Sequence, residues 1–331
     1  MRFVSYLLLL VAAGFWAAGL STTVYRGLYQ LGVITDDYRF GDLYRFSALR
    51  AFKQPQPVCP SAQLASDTAR THLYILGDSF TEPQRLAKSD FRVSYYQRTA
   101  WDQRQRVQLD PTKRNVLLIE SVERHVRERF PQPVVDLVIE RDTGQTPRPA
   151  WYRRIAGDWH RTDVEQRLES ALFSHDWALG FKELKAQLTL DWFDRTNPNV
   201  TLSTNGQHIF LRSDADPKKP LNASFSPLTD GEVDRMIDSL NATADRFRRL
   251  GFDAVYVSII PNKASILEPN RAAYNHLIER IQQHPRLRVP MIDTYGAFKR
   301  APASPFLKGD THWTCAGRSI WLSAVRKTVG I

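Results

Sequence analysis

Cysteine is scarce in this chain of 331 residues: only Cys59 and Cys315 occur. Neither belongs to a CxxC pair or to a closely spaced group of cysteines and histidines. The usual zinc-ligand spacings are therefore excluded, and we expect no metal and no other cofactor. The two thiols fit either a disulfide in an oxidising compartment or a pair of free buried side chains, and the sequence leaves both states open.

Acidic residues are also in the minority. The chain has 35 Asp and Glu against 45 Lys and Arg, a formal net charge of +10. Such a surplus attracts acidic partners such as anionic polysaccharides and phospholipid head groups. The basic residues are scattered and form no nucleic-acid-binding motif, so we expect no nucleic-acid partner. Low-complexity tracts are absent, and with 43% hydrophobic residues the chain is able to bury a substantial core.

One long apolar run stands at the amino terminus. Phe3 to Leu20 carries no charge, and at about 1.5 Å per residue its helix nearly matches the roughly 30 Å hydrocarbon core of a bilayer. Residues 1–22 are therefore predicted to be a single-pass membrane anchor. A cleavable secretory signal is the alternative, because Ala17, Ala18 and Gly19 are small residues that a signal peptidase accepts.

The charges beside this apolar run indicate its orientation. Arg2 precedes the run, which favours an amino terminus inside the cell, although Arg26, Arg39 and Arg45 beyond it reduce the asymmetry. We expect an inner-membrane protein whose remaining residues lie on the periplasmic or extracellular side. A cleaved signal would export those residues equally.

The rest of the chain is expected to divide in two. Residues 23–69 are a membrane-proximal stretch that ends in a proline-containing linker. Residues 70–331 alternate strands with helices, which is typical of an α/β domain with a mostly parallel sheet. The predicted strands of that sheet are Leu73–Leu76, Phe91–Gln97, Asn115–Glu120, Asp253–Ile260 and Arg288–Asp293. The predicted helices are Thr229–Leu250, Pro269–His284 and Thr314–Lys327.

Residues 131–227 lack this alternation and are predicted to be an insertion or cap. We expect two helices there and a hairpin in which Val200–Thr204 and Gln207–Arg212 flank Asn205-Gly206, a pair that tolerates the positive φ of a tight turn. The same region contains four tryptophans, which fit either core packing or stacking on sugar rings. They are Trp151, Trp159, Trp177 and Trp192.

Ser79 follows Gly77 and Asp78 at the end of the first predicted strand. A sharp turn there would expose the hydroxyl, and the amino-terminal dipole of a following helix would stabilise negative charge that develops in a reaction. The pattern differs from the GxSxG turn of α/β-hydrolases. By itself the tripeptide is weak evidence, because Asp78 or Ser79 equally fits a helix cap.

A second group of chemically active residues lies near the carboxyl terminus, in Gly-Asp-Thr-His-Trp at 309–313. In an extended backbone Asp310 and His312 project to one side. Acyl transfer through a serine needs an imidazole as base and a carboxylate that holds its tautomer. The alternative is a capping Asp310 beside an incidental surface histidine. Because both groups occur in one exported chain, we predict a triad of Ser79, His312 and Asp310.

Together, Gly-Asp-Ser at 77–79 and Asp-Thr-His-Trp at 310–313 resemble the SGNH (GDSL-like) hydrolase superfamily, which implies a flavodoxin-like three-layer α/β/α fold. The Asp-x-His-Trp form, Val-Leu-Leu-Ile-Glu-Ser-Val-Glu-Arg at 116–124 and Ile-Pro-Asn-Lys at 260–263 resemble the SGNH-like alginate O-acetyltransferase group. Members of that group are exported, often membrane-anchored, and modify polysaccharides alongside a membrane-bound O-acyltransferase.

The sequence departs from that group in two respects. The alginate enzymes place their Asp-x-His before the serine, whereas Ser79 comes first here, as in ordinary SGNH esterases. The glycine and asparagine blocks that usually supply a side-chain oxyanion donor are not identified. The backbone amide of Ser79 is the one donor that we assign. Asn262 is a second candidate at a strand's carboxyl end, with a turn residue as its alternative role.

Five further residues are candidate substrate contacts. Glu120, Glu123 and Arg124 follow a core strand, so they either line the same crevice or begin a solvated helix. Lys263 fits contact with an anionic sugar. Trp313 completes the Asp-x-His-Trp motif.

The leading hypothesis is O-acyl transfer, with acetyl as the expected group, to a cell-surface or secreted polysaccharide through an acyl-Ser79 intermediate. His312 would act as general base and then as general acid, and a membrane-bound O-acyltransferase is the candidate acyl source. An esterase would use the same residues and differ only in that water resolves the intermediate. A catalytically inactive glycan-binding or assembly component is the second alternative, because the oxyanion blocks are missing.

Overall fold

The apolar strand segments of the sequence form a central sheet in the computed structural model, which describes residues 2–35, 38–101, 103, 105–135, 137–139, 164–173, 175–218 and 224–331. The chain divides into a helical unit, residues 1–56 and 144–197, and a sheet unit, residues 57–143 and 198–331. Trp151 and Trp159 lie outside the described residues. This division differs from the predicted one, because the helices of the expected insertion pack with the amino-terminal helices.

The described elements are as follows. The strands are β1 (Thr71–Gly77), β2 (Tyr95–Ala100), β3 (Gln105–Val107), β4 (Arg114–Val122), β5 (Leu137–Ile139), β6 (Val200–Leu202), β7 (Ile209–Leu211), β8 (Ala254–Ile260) and β9 (Met291–Ile292). The helices are α1 (Arg2–Leu20), α2 (Thr22–Gln30), α3 (Asp42–Ser47), α4 (Glu123–Arg129), α5 (Val164–Phe173), α6 (Asp176–Phe193), α7 (Arg212–Ala215), α8 (Asp230–Arg249), α9 (Lys263–Leu267), α10 (Leu277–Gln282), α11 (Thr294–Lys299) and α12 (Cys315–Val329).

The central sheet has five strands in the order β2-β1-β4-β8-β9. Every pair of neighbours in it is parallel, so the prediction of an α/β chain with a mostly parallel sheet is confirmed. The direction in which new strands are added reverses between β1 and β4. Parallel sheets place ligands at such a reversal, outside the carboxyl ends of the two strands.

Helices cover both faces of the sheet. On one face, α8 buries Ile237 and Leu240 in a cluster with Leu117 of β4. On the other face, α12 buries Trp321 in a cluster with Leu118, the next residue of the same strand. Because side chains alternate across a strand, a run that is apolar at every position needs cover on both sides.

The second strand begins later than predicted. The expected range was Phe91–Gln97, but pairing with β1 starts at Tyr95. Phe91 and Val93 are fully buried in the preceding loop, so their hydrophobicity reflects core packing and not strand pairing. The strands predicted at Leu73–Leu76, Asn115–Glu120 and Asp253–Ile260 lie where they were expected, and the one predicted at Arg288–Asp293 is limited to Met291–Ile292.

Two predicted helices are confirmed, and both are capped. In α8, the Thr229 hydroxyl accepts from the Glu232 amide at 3.3 Å, and the Glu232 carboxylate accepts from the Thr229 amide at 2.9 Å. This reciprocal pair is a capping box. In α12, the hydroxyl of Thr314 accepts from the Gly317 amide at 3.2 Å.

The helix predicted at Pro269–His284 is wrong over its first half, because only α10 forms. In the segment before α10, side chains donate hydrogen bonds to distant parts of the chain. Arg271 donates to the carbonyl of Leu202 at 3.1 Å, and Asn275 donates to the carbonyl of Ser226 at 3.0 Å. These bonds involve residues distant in sequence, which a local helical pattern does not register.

The predicted hairpin forms as β6 and β7, with Gly206 at a φ of 68°. Its strands are shorter than expected. The amide of Thr204 donates to Glu268 Oε1 at 2.5 Å instead of continuing the ladder.

One helix, α1, is long and apolar enough to cross a membrane. Most of its large apolar side chains are exposed, and burial begins only near its carboxyl end, at Ala18 and Gly19. A core helix of a soluble domain would be buried along one face instead.

Candidate active site

Ser79 lies just beyond the carboxyl end of β1, in a single turn of 3₁₀ helix over Ser79–Thr81. The longer helix expected after it does not form, so that prediction and the helix dipole it implied are wrong. Pro83 follows, and Glu82 before it adopts φ −59° and ψ 153°. Proline disfavours the α conformation of the preceding residue, which ends the turn there.

Asp310 and His312 lie in a bend that precedes α12. The sequence suggested an extended backbone there, but the backbone bends. Asp310 Oδ1 accepts a hydrogen bond from the His312 amide at 2.8 Å, and such a bond over two residues curls the chain. The bend points both side chains toward Ser79.

The three side chains form one hydrogen-bonded chain. His312 Nδ1 lies 2.5 Å from Asp310 Oδ1, and His312 Nε2 lies 2.8 Å from Ser79 Oγ. Burial alone would raise the pKa of Asp310, but the neighbouring His312 holds it well below its usual range. An ionised carboxylate only accepts hydrogen bonds. The proton therefore sits on Nδ1, and Nε2 is left to accept the serine hydroxyl.

Access to this chain of residues is limited to the serine. Asp310 and His312 are 2% and 6% exposed, whereas Ser79 is partly open to solvent. The Phe80 ring packs 4.7 Å from the His312 ring and 4.9 Å from the Trp313 ring, centroid to centroid. Trp313 itself is 3% exposed, so its ring supports the site from the core and is not open to a substrate.

The turn that carries Ser79 is held on several sides. Asp78 forms a two-pronged ion pair with Arg129 of α4 and accepts from the amide of Val122 at 3.2 Å. Arg98 of β2 donates to the carbonyls of Gly77 and Asp78 at 2.9 and 2.8 Å. Three neighbouring elements therefore position the residues directly before the serine.

Glu120 supports the same turn from the end of β4. It is fully buried, and its Oε2 accepts from the Asp78 amide at 2.7 Å. A β-carbon on Gly77 would lie 2.8 Å from that oxygen and nearer still to Thr81 Oγ1, so a glycine is required here. Burial, with the negative charge of Asp78, raises the pKa of Glu120 to about 8.

We expect Glu120→Gln to change how stability depends on pH. The pKa of Glu120 lies above its ordinary value of 4.5 in the folded chain, so its contribution is complete below that value and is lost as the pH rises through about 8. Glutamine keeps the acceptor and has no proton to lose. The stability of the variant relative to wild type should therefore increase by about 2–4 kcal/mol between roughly pH 5 and pH 8.5.

Denaturant unfolding of the full chain in detergent at both pH values measures this difference. Glu128→Gln is the matched control, because Glu128 is an exposed residue of α4 and its replacement should leave the pH dependence unchanged. Parallel curves for wild type and Glu120→Gln would show that Glu120 does not ionise in this range.

Glu123 and Asn262 are buried and form a second hydrogen-bonded group, which the backbone amide of Arg124 joins. Glu123 Oε2 accepts from the Asn262 amide at 2.8 Å and from Ser265 Oγ at 2.7 Å, and burial raises its pKa to about 7. The Asn262 carboxamide accepts from the Arg124 amide at 3.2 Å and donates to Ser224 Oγ at 2.9 Å. These bonds link the start of α4 to the start of α9. The structure therefore joins Glu123 and Asn262 directly, while the side chain of Arg124 pairs with Asp214 Oδ2 at 2.9 Å.

Lys263 connects this group to the loop of the triad. Its ammonium group is buried and donates to the carbonyls of Lys308 and Asp310 at 2.8 and 3.2 Å. Lys263 therefore holds the backbone of the segment that carries Asp310. Contact of Lys263 with an anionic sugar stays a prediction.

The two cysteines are paired. Cys59 and Cys315 form a disulfide across 256 positions of the sequence, the first of the two states that the composition left open. Cys315 begins α12, three residues after His312. The bridge therefore ties the loop of the triad to the segment that enters the sheet unit.

Sequence reasoning missed the supporting arginines, Arg98 and Arg129. The only local signal was the charge of Asp78, because a carboxylate buried next to a turn needs a cationic partner. With 45 lysines and arginines in the chain, that signal does not single out a partner. Strand pairing and the position of α4 decide which two reach it.

Comparison with known proteins finds no matching family model, no matching curated protein and no matching solved structure.

Proposed function

We propose that this chain is a membrane-anchored, exported O-acyltransferase of the SGNH type, which transfers an acyl group, most simply acetyl, to a polysaccharide through an acyl-Ser79 intermediate. The observation that carries the proposal is the hydrogen-bonded chain from Ser79 Oγ through His312 to Asp310. A hydroxyl, an imidazole and a carboxylate in that order are the parts that activate a serine nucleophile.

The proposed reaction has two balanced halves. Ser79 Oγ attacks the carbonyl carbon of the acyl donor as its proton passes to His312 Nε2, and the leaving group departs with that proton. A sugar hydroxyl then attacks the acyl-serine, and its proton passes to Nε2 and on to Ser79. Asp310 stabilises the imidazolium that exists between these steps.

The oxyanion of each tetrahedral intermediate needs a donor. Among the residues that the structure describes, the amide of Ser79 has no hydrogen-bond acceptor within the protein, which supports the assignment of that amide as one donor. Loss of such a donor typically costs about 10²–10³ in rate. The Oδ1 of Asn262 accepts from the Arg124 amide and its Nδ2 donates to Ser224 Oγ, and Asn262 stays the candidate for the second donor.

Fold and location support the same proposal. In chain order the strands of the sheet run second, first, third, fourth, fifth, the flavodoxin-like order that the SGNH resemblance implies. Ser79 follows the first strand and Glu120 ends the third, so the site occupies the point of reversal. The disulfide favours an oxidising compartment, and α1 supplies an anchor. The polysaccharide acceptor and the partnership with a membrane-bound O-acyltransferase depend on the resemblance.

The test separates transfer from hydrolysis. The full chain in detergent is mixed with a chromogenic acetyl ester, stopped in acid and digested, and mass spectrometry should find the acetyl group on the peptide that contains Ser79. Adding an oligosaccharide should then divert acetyl from free acetate to the sugar. A fully methylated oligosaccharide is the control, because it has no hydroxyl to acylate.

Acetyl on any residue other than Ser79 would contradict the nucleophile. Acetyl-Ser79 that yields only acetate with every sugar tried would instead favour the esterase.

A further inference from the structure

An exposed apolar face runs along helix α6 of the helical unit. It consists of residues spaced four, three, four and four positions apart, which share one side of a helix. They are Trp177, Phe181, Leu184, Leu188 and Trp192, and all five are exposed, with Trp177 at 70% and Trp192 at 74%. We call these five residues the α6 face. The opposite side of α6 is packed, since Ala178 and Glu183 are buried there.

The packed side holds α6 in place through charge. The Glu183 carboxylate accepts from the Tyr44 hydroxyl and from Lys53 Nζ, the latter at 2.7 Å. Both partners belong to the amino-terminal part of the same unit. The α6 face is therefore turned outward by fixed contacts on the other side of the helix.

Exposed apolar surface is concentrated in this unit. Among the described residues, all of the exposed large apolar side chains except Val58, Tyr95 and Val135 belong to it. A soluble domain rarely leaves a continuous apolar patch of this kind uncovered. The sheet unit obeys that rule and the helical unit does not, which indicates that the helical unit has an apolar environment outside the protein.

Contacts within the unit place α6 near one end of α1. The 19 residues of α1 span about 28 Å at 1.5 Å each, so its last turn lies near the edge of a hydrocarbon core of roughly 30 Å. Arg167 of α5 donates to the carbonyl of Gly19 at 2.8 Å in that last turn. Ala171, also of α5, packs in a cluster with Ala18. Helix α5 therefore lies at the level of the bilayer surface.

Two residues separate the end of α5 from the start of α6. Trp177 is six positions beyond Ala171, so the start of the α6 face is close to that same level. The two tryptophans of the face lie fifteen residues apart, about 22 Å along the helix. Tryptophan is enriched where hydrocarbon meets head groups, and this face carries one near each end.

We propose that α6 lies in the interfacial layer of the membrane that α1 crosses, with the α6 face against lipid. This rests on the membrane anchoring included in the proposed function. An amphipathic helix in such a position buries its apolar face about 5–10 Å into the boundary between head groups and acyl chains. Lys185 and Asp191 are exposed beside the face and reach water or head groups. The helical unit then has a second attachment to the bilayer besides α1.

Tryptophan fluorescence tests this in the full chain, reconstituted in phosphatidylcholine vesicles with or without lipid brominated in the upper part of the acyl chain. Subtracting the emission of the Trp177→Phe/Trp192→Phe variant from that of wild type isolates two of the eight tryptophans. We expect brominated lipid to quench this difference by about half or more and aqueous iodide to have little effect, as interfacial burial requires. Trp101→Phe, in the sheet unit, is the matched control, and its difference should not respond to brominated lipid.

Two results would overturn the inference. Quenching by iodide and not by lipid would place the α6 face in water. Quenching by neither would mean that a second copy of the chain or another segment covers it.

The difference in emission between wild type and the Trp16→Phe variant reports on α1 separately. If Trp16 responds to brominated lipid and the two α6 tryptophans do not, the inference fails while the anchor stands. If neither responds, the anchoring fails as well. Ester turnover in the same vesicles reports on the catalytic part of the proposed function independently of both.

Discussion

Ser79→Ala is expected to lower kcat for acetyl-ester turnover by about 10⁴-fold or more, because the nucleophile of both half-reactions is removed. The effect should fall on kcat, since the hydroxyl contacts the acyl carbonyl and contributes little to holding the rest of the donor. Release of p-nitrophenol from p-nitrophenyl acetate measures it, and transfer to an oligosaccharide should disappear in parallel. Only residual turnover from binding and the oxyanion donor should remain.

Ser66→Ala is the matched control for this experiment. Ser66 is a partly exposed serine of the same unit, and its hydroxyl bonds to Thr68 on the surface. Its replacement should leave kcat within about twofold of wild type, as for most surface substitutions. If Ser79→Ala kept the turnover of Ser66→Ala, the ester chemistry would not pass through Ser79 and the proposed function would be wrong.

Asp310→Asn is expected to lower kcat by about 10⁴-fold with little change in KM. The ionised carboxylate requires the proton of His312 to be on Nδ1, 2.5 Å away. A carboxamide that turns its NH₂ toward Nδ1 favours the other tautomer, whose Nε2 carries a proton and no longer accepts from Ser79 Oγ. The loss therefore comes from the wrong tautomer and not from a displaced serine.

A double variant tests this second prediction more directly. Residues that act as one unit give losses that do not add, so the double variant Ser79→Ala/Asp310→Asn should be about as slow as Ser79→Ala alone. Asp67→Asn serves as the control, because Asp67 is an exposed carboxylate paired with Lys88 on the surface. Independent, additive losses at Ser79 and Asp310 would show that the two residues do not share a proton pathway.

Three ionisable side chains support the serine turn without touching the reacting atoms. Arg98 bonds the carbonyls of the turn, Arg129 neutralises the Asp78 carboxylate, and Glu120 accepts the Asp78 amide. These are positioning residues. A buried charge is costly unless it is paired, and here the Asp78 carboxylate is paired with Arg129, while burial raises the pKa of Glu120 to about 8.

Several parts of the fold were predictable because their signals are local. Strand β4 is buried on both faces and carries an unbroken apolar run at residues 116–119. The start of α8 is marked in the sequence by the Thr229 and Glu232 capping box. The segment before α10 was not predictable, since Arg271 and Asn275 bond to residues far away in sequence. The loop at Phe91 was wrongly predicted to be a strand for a related reason. An apolar residue indicates that a position is buried, but it does not indicate whether that position lies in a strand or in a loop.

The residues of the candidate site also divide into those with a local signal in the sequence and those without one. Ser79, His312 and Asp310 were predicted from two short motifs, because the proposed acyl transfer restricts the residue types and each motif keeps its members adjacent, and the structure brings the three into one hydrogen-bonded chain. Glu123 and Asn262 were candidates for contact with substrate or oxyanion, and the structure shows that the Glu123 carboxylate accepts from the backbone amide of Asn262. Their sequence position at strand ends was correct for a ligand edge, but the direction of each side chain depends on partners that only the packed structure supplies.

The sequence by itself predicted the apolar helix at the amino terminus, the parallel sheet and the three residues, Ser79, His312 and Asp310, that the structure joins in one hydrogen-bonded chain, since each follows from the types and spacing of neighbouring residues. The tertiary structure alone decided which arginines hold the serine turn, that Cys59 and Cys315 pair across 256 positions, and that the helices of the expected insertion join the amino-terminal ones. The physical reason is common to all three: a contact between distant segments depends on the distances and directions that packing sets, and neither is encoded in any short stretch of the chain.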